Sequence, residues 1–240
     1  SAGTYNVSLT VTTASGCTAT ATDVVTIYSL PQANFSYNHG CEGTAIQFND
    51  QSSVTAGNIT GWLWDFGDGT TSTLQNPSHV FNTNGMQTVT LTITTAGGCT
   101  DSRSHNVQIF PLPQLAFNTS NTNLCLGTVM SITNNSTTSN GAINTWNWNF
   151  GDGTSSAKSD PSHTYVGAGS YNITLIATTS HGCSDTLTQP VTVYANPTVN
   201  AGNNVFICRG NSTTLTSTPG TTYNWTPGGA TTQQITVSPN

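Results

Sequence analysis

The chain is 240 residues long and only 5% charged, with three cations (Arg103, Lys158, Arg209) against nine acids and a formal net charge of -6. Ordinary domains carry about 25% charged residues, so solubility rests on Thr, Ser, Asn and Gln, and the lack of basic patches excludes nucleic acid and anionic membrane surfaces as partners. No run of about 18 apolar residues is present, which excludes a membrane-spanning helix and insertion of that kind.

Residues 5–11 open the chain with Tyr5, Val7, Leu9 and Val11 alternating against polar neighbours, the period of a half-buried strand. Further on, Trp62-Leu63-Trp64-Asp65-Phe66-Gly67-Asp68-Gly69-Thr70 returns as Trp146-Asn147-Trp148-Asn149-Phe150-Gly151-Asp152-Gly153-Thr154, 84 positions later. Pro77-Ser78-His79, Phe81, Cys41, Cys99 and Phe110 return at the same offset as Pro161-Ser162-His163, Tyr165, Cys125, Cys183 and Tyr194. A fixed period of this length marks an array of small units. Four segments follow: 1–30 ends one repeat, 31–112 and 113–196 are complete, and 197–240 begins another. The joints are Leu30-Pro31, Leu112-Pro113 and Asn196-Pro197, where proline removes a ladder donor and ends a strand.

Within the first complete repeat the expected strands are Ala33–Tyr37, Ala45–Asn49, Ile59–Phe66, Thr70–Leu74, Ser78–Phe81, Thr88–Thr94 and Ser104–Phe110. The second repeat copies them, with Ile173, Leu175, Ala177, Val191 and Val193 facing inward. About seven short strands with turns every 8–12 residues make a β-sandwich, so the fold class is all-β. The opening Ser1-Ala2-Gly3-Thr4-Tyr5 aligns with the late part of a repeat, and no basic stretch followed by an apolar one precedes it. We therefore read the chain as a window of a longer one whose export signal lies elsewhere.

Residues two apart on a strand share a face. Trp62, Trp64 and Phe66 therefore point together, as do Trp146, Trp148 and Phe150, and this face without polar residues is expected to be core rather than a sugar platform. Asp68 and Asp152 sit between glycines, where a carboxylate holds a turn by bonding nearby N–H groups; calcium would need more clustered oxygen ligands. His79 and His163 share one repeat position and read as structural, whereas His39, His105 and His181 have no counterpart. No Ser, His and Asp arrangement recurs, so no catalytic residue, metal or cofactor is expected, and the chain is expected not to be an enzyme.

The combination W-D-F-G-D-G-T, then N-P-S-H-V-F, then G-x-x-x-V-T-L-T-I-T resembles the PKD (polycystic kidney disease) repeat family over residues 31–196, with 1–30 as the end of such a unit. The resemblance implies tandem Ig-like sandwiches in a linear array, extracellular spacer, adhesion and stalk roles, and no catalysis. Asn149 departs from the family's usual acidic residue and Gln87 from its usual Tyr. Residues 197–240, with Tyr223-Asn224-Trp225-Thr226-Pro227-Gly228, lack the F-G-D-G turn and resemble a related, distinct Ig-like module. The Cys-x-Gly and Gly-Cys signatures (Cys41-Glu42-Gly43 with Gly98-Cys99, Cys125-Leu126-Gly127 with Gly182-Cys183) are similar to the Bacteroidetes version found in long cell-surface and type IX secreted proteins. If that is the source, Asp185-Thr186-Leu187 resembles its O-glycosylation motif, at Thr186.

Six cysteines (Cys17, Cys41, Cys99, Cys125, Cys183, Cys208) imply disulfides in an oxidising compartment, since none forms a C-x₂-C zinc half-site. The shared spacing of 58 favours Cys41–Cys99 and Cys125–Cys183 within repeats. Topology opposes it: in an Ig-like sandwich these cysteines lie at opposite poles, and a strand of ~9 residues spans roughly 30 Å, beyond disulfide reach. The far pole of one unit instead meets the next unit, which slightly favours a Cys41–Cys183 staple. A scheme pairing 17–41, 99–125 and 183–208 spans two poles and fares worst.

The expected function is a structural and adhesive stalk or filament segment, secreted or at the cell surface. Its expected partners are neighbouring repeats, identical chains side by side and surface polysaccharide. The alternative is a carbohydrate- or protein-binding accessory region of a secreted hydrolase, for which Tyr5, Tyr37, Phe117 and Tyr171 are the aromatic candidates.

Overall fold

Threonines alternate with Val, Leu and Ile along much of the chain, and on strands this puts one row toward a core and the other toward water. The computed structural model describes residues 2–238, and all regular elements among them are strands. β1 (Gly3–Thr12) and β2 (Thr18–Ile27) form an antiparallel hairpin. Its Val7, Leu9 and Val11 are exposed, for no second layer covers them among the described residues.

The first complete unit contains β3 (Phe35–Tyr37), β4 (Gly40–Cys41), β5 (Ala45–Asp50), β6 (Ile59–Asp65), β7 (Thr71–Ser72), β8 (Ser78–Val80), β9 (Gly85–Thr95) and β10 (Thr100–Phe110). One sheet has the order β3-β5-β8 and the other β4-β10-β9-β6-β7. Their inner faces bury Phe35, Phe48, Trp64, Val89, Leu91 and Ile109, among others. The second unit repeats this arrangement with β11 (Phe117–Thr119), β12 (Asn123–Cys125), β13 (Val129–Asn134), β14 (Ile143–Asn149), β15 (Ser155–Ser156), β16 (Ser162–Thr164), β17 (Gly169–Thr179) and β18 (Ser184–Tyr194). Its sheets run β11-β13-β16 and β12-β18-β17-β14-β15 around a separate core. In the last segment β19 (Thr213–Thr216) pairs with β20 (Gln234–Val237).

Four strands differ from the sequence expectation, β9 by starting at Gly85 rather than Thr88 and three others as follows. The first is divided: β3 stays in one sheet, and after Asn38-His39 the chain crosses to the other, where β4 runs parallel to β10 with Gly40 opposite Ile109 and Cys41 opposite Phe110. The return from the Trp strand shrinks to Thr71–Ser72, because the Leu74 carbonyl accepts the Trp64 indole N–H at 2.9 Å instead of a ladder bond. The last strand begins at Thr100, since pairing continues down to Thr94 opposite Thr100. Pro190 lies inside β18, but the parallel partner β12 starts only opposite Thr192, so its missing donor falls on an unpaired stretch.

Trp64, Phe66, Trp148 and Phe150 are buried, but Trp62 and Trp146 are only partly so, which corrects their assignment to the core. They share the aromatic face yet lie toward its rim, where the short facing sheet no longer covers them. Trp62 also directs its indole N–H to the Asp50 carboxylate at 2.7 Å. Phe117 is the opposite correction: it sits in the second core, its ring edge-on to Trp148 at 5.0 Å, and is no surface platform.

Candidate functional site

Two recurring constellations stand out, one inside each unit and one between units. After β6 the chain must reverse tightly, and Gly67 permits it with φ +79, where an added Cβ would lie 2.6 Å from the Thr88 carbonyl oxygen. Asp68 then binds three donors: Oδ1 accepts from the Thr70 amide (3.0 Å) and hydroxyl (2.6 Å), and Oδ2 lies 2.7 Å from His79 Nε2. The His79 ring is stacked on Phe66 at 4.0 Å and edge-on to Phe81 at 4.5 Å, so the turn is fastened to the core. In the second unit Asp152 receives Thr154 (3.0 and 2.6 Å) and His163 (2.7 Å), with His163 stacked on Phe150 at 4.1 Å.

Burial pushes the Asp68 carboxyl upward, but the hydrogen bonds from Thr70 and His79 outweigh it and leave it below the usual carboxylate value; Asp152 follows the same balance with Thr154 and His163. Tyr165, pushed up to about 12 chiefly by burial and then by the Asp152 charge, donates its hydroxyl to the Phe150 carbonyl at 2.9 Å. The chemistry of this turn is that of a clamp. Asp65 Oδ1 accepts the Gly67 amide at 2.9 Å, and Asn149 Oδ1 does the same for Gly151 at 2.8 Å, so a neutral acceptor suffices there. Among the described residues no group of three or more His, Cys, Asp or Glu could hold a metal ion.

The second constellation is the joint. Cys41 in β4 and Cys183 in the β17–β18 hairpin, 142 positions apart in sequence, form a disulfide with Cα atoms 5.6 Å apart. Cys41 stands beside Phe110 at the end of β10, whereas Cys99 precedes its other end, Thr100. Eleven strand residues separate the two, roughly 35 Å at about 3.3 Å each, so the pairing within the repeat is sterically closed. Beside the disulfide, the Phe110 ring is stacked on His181 of the next unit at 3.9 Å and 13°. Pro111 and Pro113 are buried in the joint. At the joint before, Tyr28 lies against Gly97, in the space a side chain there would fill. Cys17, Cys99, Cys125 and Cys208 are free thiols.

Both complete units match the family described as "PKD domain", over residues 29–110 and 112–194. The chain belongs to the PKD domain family. PKD domains are non-catalytic modules, which fits a non-catalytic accessory or structural region. It is 33% identical over 115 residues to the pre-pro-metalloprotease PrtV of Vibrio cholerae, covering 47% of this chain and 12% of that protein. It is 39% identical over 74 residues to a microbial collagenase of Vibrio alginolyticus, covering 30% of this chain and 9% of that protein. The chain thus spans only a small part of these relatives. Among solved structures, the N-terminal eight Ig domains of Down Syndrome Cell Adhesion Molecule match with a TM-score of 0.52 at 16% identity, covering 90% of this chain and 30% of that one, a likeness of fold alone.

The clamp partners His79 and His163 were missed as partners of the PKD turn aspartates, although both recur 11 residues after them. The aromatic seats were missed too; their signal is the aromatic at the end of each last strand, Tyr28, Phe110 and Tyr194. Thr186 is exposed on β18, its amide bonded to Asp185 Oδ1 at 2.7 Å. Of the aromatic candidates for recognition, Tyr37 packs on Phe35 and Phe48, Tyr171 stacks on Tyr165 at 4.3 Å, and Tyr5 is exposed.

Proposed function

We propose that this chain is a spacer segment of an extracellular stalk, in which PKD units hold a fixed spacing and bear load. The observation that carries this reading is the joint, where Cys41–Cys183 and the Phe110–His181 stack fasten consecutive units. A disulfide and relatives named as a pre-pro-metalloprotease and a collagenase support an extracellular location. The paired Cys-x-Gly and Gly-Cys signatures support a Bacteroidetes-type origin, in which Thr186 would carry a glycan. The sparsely charged surface supports lateral association of identical chains into filaments, because few charges guard the sheet edges.

Small-angle X-ray scattering of the chain and its C41S/C183S variant tests the spacer role. A stiff joint predicts one sharp maximum dimension for the first and a broadened, shorter distribution for the second; identical curves would remove the basis of the reading. A second reading, a binding accessory, is favoured by the relatives being segments of a metalloprotease and collagenases. Pull-down on insoluble collagen and on surface polysaccharide separates the two. Retention that a Tyr5→Ala change abolishes would move the function to recognition.

A further inference from the structure

A disulfide between two units does more than fasten their joint, because it changes which residues a pull along the chain must travel through. Cys41 comes early in the first complete unit, and Cys183 comes late in the second, 142 positions further on. The bridge therefore closes a covalent loop around residues 42–182. Inside it lie every strand from β5 to β17, both aspartate clamps and the backbone joint Pro111-Leu112-Pro113 itself. What remains of the two units is 31–41, with β3 and β4, and 183–196, with β18.

These two outer segments are tied along their length. Gln32 and Ser53 exchange backbone bonds at 2.8 and 3.0 Å, and the Ala33 amide reaches Asp101 Oδ2 at 2.8 Å. β3 pairs with β5, and β4 with β10. The leaving segment is tied more heavily, for β18 is in register with β17 from Ser184 to Val193 and with β12 from Thr192 to Tyr194. Ladder bonds lie across the strands, so a pull along β18 strains a row of them together instead of opening them one by one. The outer strands are also extended already. A strand advances about 3.3 Å per residue against a limit of about 3.3–3.6 Å, so tearing them loose lengthens the chain little. The loop holds far more: 142 positions at that limit amount to about 470–510 Å.

We propose that Cys41–Cys183 is a strain limiter, a covalent shunt that carries tension past both cores and withholds the loop from extension. Tension entering at Pro31 passes along β3 and β4 to Cys41 Sγ, across to Cys183 Sγ, and out along β18. Neither Trp64 nor Trp148 lies on that path, so a pull cannot draw the chain out of either core. The choice of partners is what achieves this. A Cys99–Cys125 bridge would withhold only residues 100–124 and leave both tryptophan strands under tension. The shunt deepens the spacer reading and rests on its claim that the units bear load. Stiffness of the joint at rest, which scattering reads, is a separate property and survives if the shunt fails.

Single-molecule force spectroscopy on the whole chain, held by a handle at each terminus, tests this in three arms: the wild type, C41S/C183S, and the wild type in a phosphine reductant. Residues 1–30 and 197–240 add the same length to all three. At full extension the wild type should be shorter than the variant by about 470–510 Å. The variant should show two rises that the wild type lacks, each on the order of 250 Å for one 84-residue period. In reductant, a wild-type molecule already drawn to its limit should gain roughly 500 Å in one step as the bridge is cut. If the variant fails to fold, the reductant arm decides alone. Equal final lengths of wild type and variant, wild-type rises as large as a whole unit, or no gain on reduction would each overturn the proposal.

Discussion

Asp68 and Asp65 lie three residues apart in one turn and carry different weight. Asp68 satisfies three donors, one of them on His79, whose ring is packed on Phe66 and Phe81, so Asp68→Ala leaves them unpaired. Losing such an acceptor costs about 1–3 kcal/mol, to be read as a lowered urea midpoint. Asp65→Asn should stay within about 0.5 kcal/mol, because Asn149 already performs that bond in the other unit. The sign of the pH effect follows from the depressed carboxyls. Asp68 and Asp152 are held below 3.8 in the fold, so their contribution is present above the unfolded value and is lost as pH falls through the folded one. Thermal midpoints should therefore drop as pH falls below about 4, and less steeply in D68N/D152N. A similar exchange of acid and amide surrounds the tryptophan rim: Asp50 with Asn76 in one unit becomes Asn134 with Asp160 in the next, with the amide-to-side-chain bond kept at 2.8 Å.

At the scale of the element, β6 shows how far the alternation of a strand can be trusted. It places Trp62, Trp64 and Phe66 on one face, and that much is legible from spacing. It does not say where the opposite sheet ends, and the structure buries Trp64 while leaving Trp62 half-open. Trp64→Ala should accordingly cost about 3–5 kcal/mol, and Trp62→Ala distinctly less, compared by chemical denaturation. Gly67 is a backbone requirement of the same element: alanine there combines an unfavourable φ with a Cβ 2.6 Å from the Thr88 carbonyl. Gly67→Ala should destabilise by about 1–3 kcal/mol in the same assay. The divided first strand was not legible, because leaving one sheet for the other changes neither the local pattern nor the composition of Ala33–Cys41.

Across the whole molecule the disulfide couples two cores that share no buried side chain. Removing it with C41S/C183S should cost about 2–4 kcal/mol of coupling. Calorimetry should then resolve two transitions where the intact chain shows one, and a single unchanged transition would mean the units are coupled by other contacts. The stacked Phe110–His181 pair would act in the same direction, so His181→Ala should loosen the joint without lowering the stability of either core.

The sequence by itself determined the 84-residue period, the sandwich, the inward rows of β9 and β17 and the membership of Asp68 and Asp152 in turns. These follow from local rules: alternation on a strand, proline at a boundary, glycine in a reversal. Only the tertiary structure decided that Cys41 meets Cys183, that His79 and His163 clamp their aspartates, and that Phe110 seats on His181. Each of those depends on which pole of a sheet a residue reaches and what the next unit brings to it. Equal spacing cannot carry that information, because a repeat gives the same distance along the chain to partners that lie together and to partners a strand's length apart.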